Sequence, residues 1–138
     1  MKHKVTKQIE FSYGHRLRNY DGKCQHVHGH NGIAEVELSS KELDDRGMVY
    51  DFGDLKDDVK GWIDENMDHA MLVRHDDPLI EYLEETGEPY YVMEENPTAE
   101  AIAREVYEYA ESQGHPVTSV KLWETGSSYA TYAPETER

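Results

Sequence analysis

Three histidines alternate along one short run of this chain, Cys24-Gln25-His26-Val27-His28-Gly29-His30. In an extended strand, successive side chains point to opposite faces of the sheet, so alternate residues share one face. His26, His28 and His30 would then point the same way, and a neighbouring strand that carries His15 could add another imidazole. Three ring nitrogens around one ion leave zinc an open position, which is typical of catalytic zinc sites. The run therefore predicts a strand that carries part of a zinc site.

The ligand set that this pattern predicts is His15, His28 and His30. A fourth imidazole would close the coordination sphere of the metal. We therefore expect His26 at the surface or behind the ligands.

Cys24 is the only cysteine of the chain. It lies in a polar loop directly after Lys23, where no apolar stripe would bury it, although a lone cysteine is most often a buried and inert side chain. A nearby cation, either Lys23 or a metal ion, lowers the pKa of a thiol and favours the thiolate. Cys24 is thus a candidate reactive thiolate, and the alternative role of metal ligand stays open.

Length and charge limit the classes of partner. A chain of 138 residues is long enough to bury a sizeable core, and we expect a single domain over residues 1–138. Acidic residues outnumber basic ones 29 to 14, and so negative a surface repels phosphate backbones, so we expect no nucleic-acid partner. The chain has one cysteine, no secretory apolar segment and no long apolar run. These features predict a cytoplasmic protein without a membrane span.

One short segment departs from this acidity. Between His15 and Cys24 the chain carries Arg16, Arg18 and Lys23 against a single acidic residue. A basic island beside a metal site suits an anionic, phosphorylated substrate. The alternative is that these cations pair with nearby acidic side chains.

Hydrophobic periodicity predicts two strands, then helices, then two strands. The expected elements are strands over 5–14 and 32–39, a helix from about Asp54, a short helix over 78–83, a short extended stretch over 90–93, a helix from Asn96-Pro97-Thr98 to Gly114, and a hairpin of 117–124 and 127–132. Strands at both ends predict an α+β fold with a four-stranded antiparallel sheet and helices packed on one face. Open edges of such a sheet favour assembly with further copies.

Two further carboxylates are candidates for function. Asp68 precedes His69 at the end of the first predicted helix, and a carboxylate beside an imidazole suits proton transfer. Neighbours on a helix do not face each other, so this pair needs a bend; otherwise His69 is a histidine favoured by the helix dipole. Glu124 is by default a solvated strand residue, but a buried carboxylate would suit two hydrogen bonds from an amidine-like ring such as a pterin.

Seven short motifs follow one another along the chain: Phe11-Ser12-Tyr13-Gly14-His15, Cys24-x3-His28-Gly29-His30-Asn31, Gly47-Met48-Val49-Tyr50-Asp51-Phe52, Leu55-Lys56, Asp68-His69-Ala70-Met71-Leu72, Asn96-Pro97-Thr98-Ala99-Glu100 and Glu124-Thr125. In this order they resemble the 6-pyruvoyl-tetrahydropterin synthase family, which includes the bacterial 6-carboxy-tetrahydropterin synthases of the queuosine pathway. The resemblance extends from about Phe11 to Tyr132.

The resemblance implies the tunnelling fold (T-fold), assembled as trimers that stack into a hexamer with sites between subunits. It implies Zn²⁺ on the three histidines, Cys24 as the proton-abstracting base, and Asp68 and His69 as its partner dyad. It also implies that Glu124 anchors a pterin ring and that Thr98 lies near the ring. The implied substrate is 7,8-dihydroneopterin triphosphate, whose phosphates agree with the basic island, with Arg16 and Lys23 as expected contacts.

The gap of three residues between Cys24 and His28 resembles the carboxy-forming branch, which releases acetaldehyde as well as triphosphate. Two alternatives stay open: a pyruvoyl-forming synthase that only eliminates triphosphate, and a non-catalytic metal- or pterin-binding protein that holds its ion with His26, His28 and His30. The chain departs from the family at Gly32, where an aromatic residue is frequent, and in a longer segment around 84–88.

Overall fold

Two long strands at the start of the chain pair along their whole length. In the computed structural model, which describes residues 1–136, β1 (His3–His15) and β2 (His28–Ser40) are antiparallel, and their register extends from His3 opposite Ser40 to His15 opposite His28. Alternate residues of β1, among them Ile9, Phe11 and Tyr13, are buried, as expected for a strand with one face on a core.

The sheet has six strands rather than the predicted four. The hairpin of β5 (Val117–Thr125) and β6 (Ser128–Tyr132) lies beside β2, while β3 (Ala70–Arg74) and β4 (Tyr90–Met93) lie on the other side of β1. The strand order is β4-β3-β1-β2-β5-β6. The α+β class and the one-sided helices are confirmed, but the four-stranded, purely antiparallel sheet was wrong, because β3 and β4 pair in parallel.

The sequence around β3 explains the missed strand. Its short apolar run follows directly on a helical stripe, and a run of this length is as typical of a buried helix end as of a strand. The helix instead stops at Asn66, and His69 adopts a positive φ of 59°. The chain then turns so that Ala70 pairs with Tyr13 at the free edge of β1.

The first helical segment contains a wide turn. It consists of α1 (Phe52–Leu55), a π-helical segment (Lys56–Lys60) and α2 (Gly61–Asn66). Its fully buried side chains recur every four residues: Leu55, Val59, Ile63 and Met67. In an α-helix that spacing drifts by about 40° per step. A π-helical turn holds more residues, so it compensates part of the drift and keeps the stripe on the core.

Two more helices complete the layer. These are α3 (Leu79–Thr86) and α4 (Ala99–Ser112), which packs against β5 and β6. The hydroxyl of Thr98 accepts a hydrogen bond from the Ala101 amide at 3.1 Å, so Thr98 is the N-cap of α4, at the helix start that Asn96-Pro97-Thr98 predicts. No helix among residues 1–136 is long and apolar enough to cross a lipid bilayer.

A partly buried hydrogen-bond network joins the helical layer to the loop before it. Asp58 on the π-helical segment accepts hydrogen bonds from the Tyr109 hydroxyl and from His115 Nε2, both at 2.5 Å. The other ring nitrogen of His115 lies 2.6 Å from the Tyr50 hydroxyl. Burial raises the pKa of Asp58, but the two hydrogen bonds outweigh burial and leave that pKa below its usual value.

We expect Asp58→Asn to lower the free energy of unfolding by about 1–2 kcal/mol at pH 7, because it removes the charged acceptor of this network. A carboxyl with a depressed folded-state pKa stabilises the fold above its unfolded pKa of about 4 and loses that contribution as the pH falls through the folded pKa. The difference between variant and wild type should therefore shrink in acid. Urea unfolding at pH 7 and pH 3 measures it. Asp57→Asn, at the exposed neighbouring carboxylate, is the control, and an equal effect there would contradict the prediction.

Candidate metal centre

Strand pairing brings three imidazoles to one end of the sheet. His15 on β1 lies directly opposite His28 on β2, and His30 follows two residues later on the same face. One ligand atom from each of these histidines lies within 4.8 Å of the others. His26 precedes β2, is exposed and does not belong to this cluster. The structure thus brings together the three residues that the sequence predicts as ligands.

Backbone carbonyls determine which nitrogens face the centre of the cluster. His15 Nδ1 lies 2.6 Å from the carbonyl oxygen of Pro97, and His28 Nδ1 lies 2.7 Å from that of His26. A carbonyl oxygen only accepts, so both Nδ1 atoms carry hydrogen and donate, and in the neutral rings the lone pairs are on Nε2. These two Nε2 atoms lie 3.0 Å apart. Two lone pairs at that distance repel each other unless a cation lies between them.

The donor set fits zinc. Zinc bonds to imidazole nitrogen are about 2.0–2.1 Å long, so tetrahedral ligands lie about 3.3 Å apart, close to the observed separation. His15 is only 2% exposed. Burial lowers its pKa to about 4; the hydrogen bond to Pro97 opposes this shift, and His28 and His30 add to it. A neutral imidazole is the form that binds a metal ion.

The N-terminus of α4 holds the end of β1 in place. Asn96 accepts a hydrogen bond from the Arg18 amide and donates one to the Arg18 carbonyl, each at 2.8 Å, while Pro97 orients His15 and Thr98 caps the helix. Sequence reasoning missed the part played by Pro97, because it belongs to a backbone carbonyl and any residue type would supply one.

Cys24 lies in a single 3-10 turn, Lys23–Gln25, and is half-buried. Within residues 1–136, the cluster of potential metal ligands consists of the three histidines and does not include its thiol. The geometry therefore gives no support to the alternative of Cys24 as a ligand. Neighbouring Lys23 is exposed and forms no ion pair with a described residue.

Asp68 and His69 contact each other in the turn before β3. His69 Nδ1 lies 3.0 Å from an Asp68 carboxylate oxygen, and the positive φ of His69 is the bend that this contact requires. The other carboxylate oxygen accepts a hydrogen bond from the Ser12 amide at 2.9 Å. Burial raises the pKa of Asp68, but the hydrogen bonds from Ser12 and His69 outweigh burial. The pKa therefore lies below its usual value, and the carboxylate stays ionised.

A cavity of about 680 Å³ is shared by His69 and two histidines of the metal cluster. Its lining includes His28, His30 and His69, together with Gly14 and Met71. The side chain of His69 is 80% exposed, so it is free to meet a bound molecule. Asp68 is thus placed to orient the His69 ring, and His69 can carry a proton at the cavity wall.

The basic island is partly neutralised by a buried acid. Arg16 donates from Nε to Asp77 at 2.9 Å and makes a second bond from Nη2, and Arg18 lies 3.6 Å from the same carboxylate. Asp77 is 3% exposed. Burial raises its pKa, but the bonds from Arg16 and from the Leu79 amide outweigh burial and lower it. Of the expected phosphate contacts, Arg16 is therefore already paired and Lys23 is open to solvent.

Glu124 lies near the end of β5, two residues after buried Leu122 and so on the face that carries the histidines. It is half-buried rather than solvated. Tyr13 is its neighbour: burial first, and then the charge of Glu124, raises the pKa of the Tyr13 hydroxyl.

Comparison with known proteins agrees with this architecture. A family model described as 6-pyruvoyl tetrahydropterin synthase matches residues 4–135. A protein of Rickettsia bellii named 6-carboxy-5,6,7,8-tetrahydropterin synthase is 42% identical over 133 residues, covering 91% of this chain and 96% of that protein. An uncharacterized Wolinella succinogenes protein of known structure gives a TM-score of 0.85 at 29% identity, covering 98% and 99%. The 6-pyruvoyl tetrahydropterin synthase of Caenorhabditis elegans gives 0.73 at 25% identity, covering 98% and 97%.

Fold and site together define an α+β protein with a three-histidine cluster at the paired ends of its two longest strands. The chain belongs to the 6-pyruvoyl tetrahydropterin synthase family, and the expected T-fold is confirmed.

We expect His28→Ala to lower bound zinc from about one ion per chain to below about a tenth, because two imidazoles do not complete a stable site. His26→Ala is the control: it keeps the backbone carbonyl that orients His28 and should keep the metal. Elemental analysis after dialysis against zinc measures both variants. Loss of zinc in His26→Ala alone would instead support the non-catalytic ion-binding alternative.

Proposed function

We propose that the chain is a zinc-dependent lyase that converts 7,8-dihydroneopterin triphosphate to 6-carboxy-5,6,7,8-tetrahydropterin, with release of acetaldehyde and triphosphate. This reaction would serve queuosine and other 7-deazapurine biosynthesis in the cytoplasm. The observation that carries the proposal is the pair of Nε2 lone pairs, on His15 and His28, that converge beside a cavity. Support for the carboxy product comes from the name of relatives at 42% identity and from the short spacing between Cys24 and His28.

His15, His28 and His30 would hold the metal ion, which supplies Lewis-acid polarisation of an oxygen when bound. Cys24 as thiolate would take a proton from the substrate side chain, in keeping with its polar and partly exposed position. His69 would hold and return a proton at its exposed ring. The ionised Asp68 fixes the orientation of that ring through its contact with Nδ1.

Glu124 would bind the pterin through two hydrogen bonds, from a ring N–H and the exocyclic amine, because a carboxylate can accept both at once. Thr98 would lie near that ring while its hydroxyl caps α4. Lys23 would meet the triphosphate directly, since its ammonium group is exposed. Arg16 would contribute its charge while it stays paired with Asp77.

A homo-oligomer, a trimer or a hexamer, would complete the site. Two observations support this assembly. Among residues 1–136, the outermost strands β4 and β6 each have one edge without a partner strand, and such edges pair readily with another copy. In addition, the cavity at the metal cluster is lined by His69 but not by Cys24 or Glu124, so groups from a neighbouring subunit could supply the remaining chemistry.

We expect purified, zinc-loaded protein to release acetaldehyde and triphosphate in equal amounts from 7,8-dihydroneopterin triphosphate. Mass spectrometry of the pterin product, together with a coupled acetaldehyde assay, measures the outcome. Triphosphate without acetaldehyde would identify a pyruvoyl-forming synthase. The absence of both products in protein with full zinc would contradict the enzymatic proposal.

Cys24→Ala should lower kcat by at least about 100-fold, because general acid–base catalysis typically contributes that much or more. Zinc content should be unchanged, since the thiol is outside the ligand cluster. Gln25→Ala, in the same 3-10 turn, is the matched control and should keep both activity and metal. Wild-type turnover in Cys24→Ala would rule out the thiolate as base.

A further inference from the structure

Tyr13 lies between the histidines of the metal cluster and Glu124, the carboxylate that would bind the pterin ring. It is only 3% exposed. Its ring meets the edge of His15 at a centroid distance of 5.3 Å and contacts His30 at 5.7 Å. Aromatic pairs at these separations are favourable and orient one another. The ring therefore touches two of the three histidines of the cluster.

Gly32 makes room for this ring. A Cβ atom added at Gly32 would lie 2.8 Å from Tyr13 Cε1 and 3.4 Å from the carbonyl oxygen of Trp123. The first distance is too short for any side chain to fit without displacing the ring. Tyr13 thus leans from β1 across β2 towards β5, where Glu124 follows Trp123.

The hydroxyl of Tyr13 is buried and makes no hydrogen bond of normal geometry with any residue in 1–136. An unpaired buried hydroxyl costs free energy, so such a group in a native protein calls for a partner. Glu124 is the candidate acceptor, because the Tyr13 ring and the Trp123 carbonyl both lie against Gly32, and Glu124 follows Trp123 on β5.

On the basis of the proposed function, we propose that Tyr13 is a positioning residue for Glu124, the carboxylate that would bind the pterin ring. The Tyr13 hydroxyl donates a hydrogen bond to Glu124 and turns that carboxylate towards the cyclic amidine of the pterin. The Tyr13 ring occupies the space that Gly32 leaves and forms the wall between the amidine and the metal ligands. A carboxylate has about four lone-pair sites, so one bond from Tyr13 leaves enough acceptors for two ring N–H groups. Fixing the carboxylate before binding reduces the entropy lost on binding.

The test is the binding of 7,8-dihydroneopterin, which carries the ring without phosphates, to zinc-loaded protein by fluorescence titration. Tyr13→Phe should raise the Kd about tenfold, because a hydrogen bond to a charged group is lost. The KM for the triphosphate should rise similarly, with kcat changed less than about threefold, since the lost bond acts on ring binding.

Tyr107→Phe is the matched control. Tyr107 is 4% exposed, and its hydroxyl also contacts a glutamate, Glu111 at 3.5 Å, but it lies within α4. This variant should bind dihydroneopterin as wild type does. Zinc content is measured in every variant, because loss of metal in Tyr13→Phe would indicate a structural role at the histidines and would overturn the proposal.

A second variant fills the space beside the Tyr13 ring and leaves the Tyr13 hydroxyl itself in place. Gly32→Ala should displace the Tyr13 ring and weaken dihydroneopterin binding, but it should add little to Tyr13→Phe, since both changes remove the same bond. Gly61→Ala, where an added Cβ meets nothing within 4 Å, is the control. Full additivity of the two changes would contradict the proposal.

Failure of this inference is distinguishable from failure of the proposed function. If wild type binds dihydroneopterin without any turnover of the triphosphate, the proposed reaction is wrong, while the ratio of Kd values still decides whether Tyr13 positions Glu124. If wild type turns over and Tyr13→Phe has unchanged Kd and KM, the proposed reaction stands and the inference is overturned. If wild type does not bind dihydroneopterin at all, the inference is overturned as well.

Discussion

The register of β1 against β2 is the constraint on which the metal centre depends. His15 faces its ligand partner only because it lies directly opposite His28, and His30 joins them only because alternate residues share a face. A slip of one residue would turn the imidazoles of one strand to the opposite side of the sheet and separate the set. The two strands form thirteen consecutive pairs, and five of these contain a buried apolar side chain on the core face, which opposes such a slip.

Three buried or half-buried aspartates stabilise the structure around the two paired strands, each in a different way. Asp77 receives Arg16 just after β1 ends, Asp68 binds the backbone of Ser12 within β1, and Asp58 connects helices to a loop through His115. In each case, hydrogen bonds that favour the ionised form outweigh desolvation and lower the pKa. In a chain with a net charge of −15, these acids thus serve structure while most others are exposed.

Coupling between the helical layer and the site passes through α4. The cap at Thr98 and the carbonyl of Pro97 are adjacent, so the packing that positions the helix also fixes the His15 ring and the nitrogen it presents. Tyr13 extends the same arrangement to the other side, from the histidines towards β5. The imidazoles are therefore held from both flanks, by Pro97, which is distant in sequence, and by Tyr13, which lies on the same strand as His15.

Local patterns were enough to identify the two long strands, the helix start at Asn96-Pro97-Thr98, the closing hairpin and the three histidines, because alternation, periodicity and capping act between residues a few positions apart. Tertiary structure was needed for strand β3 and its parallel pairing with β1 and β4, although the short strand over 90–93 was itself predicted. It was also needed for the pairing of Arg16 with Asp77, the Pro97 carbonyl on His15 and the fit of Tyr13 over Gly32. Each of these joins segments separated by 19 or more positions, or turns on a backbone atom that every residue type carries. Such contacts form only when the whole chain packs, since their energy comes from burial and from partners that no local window contains.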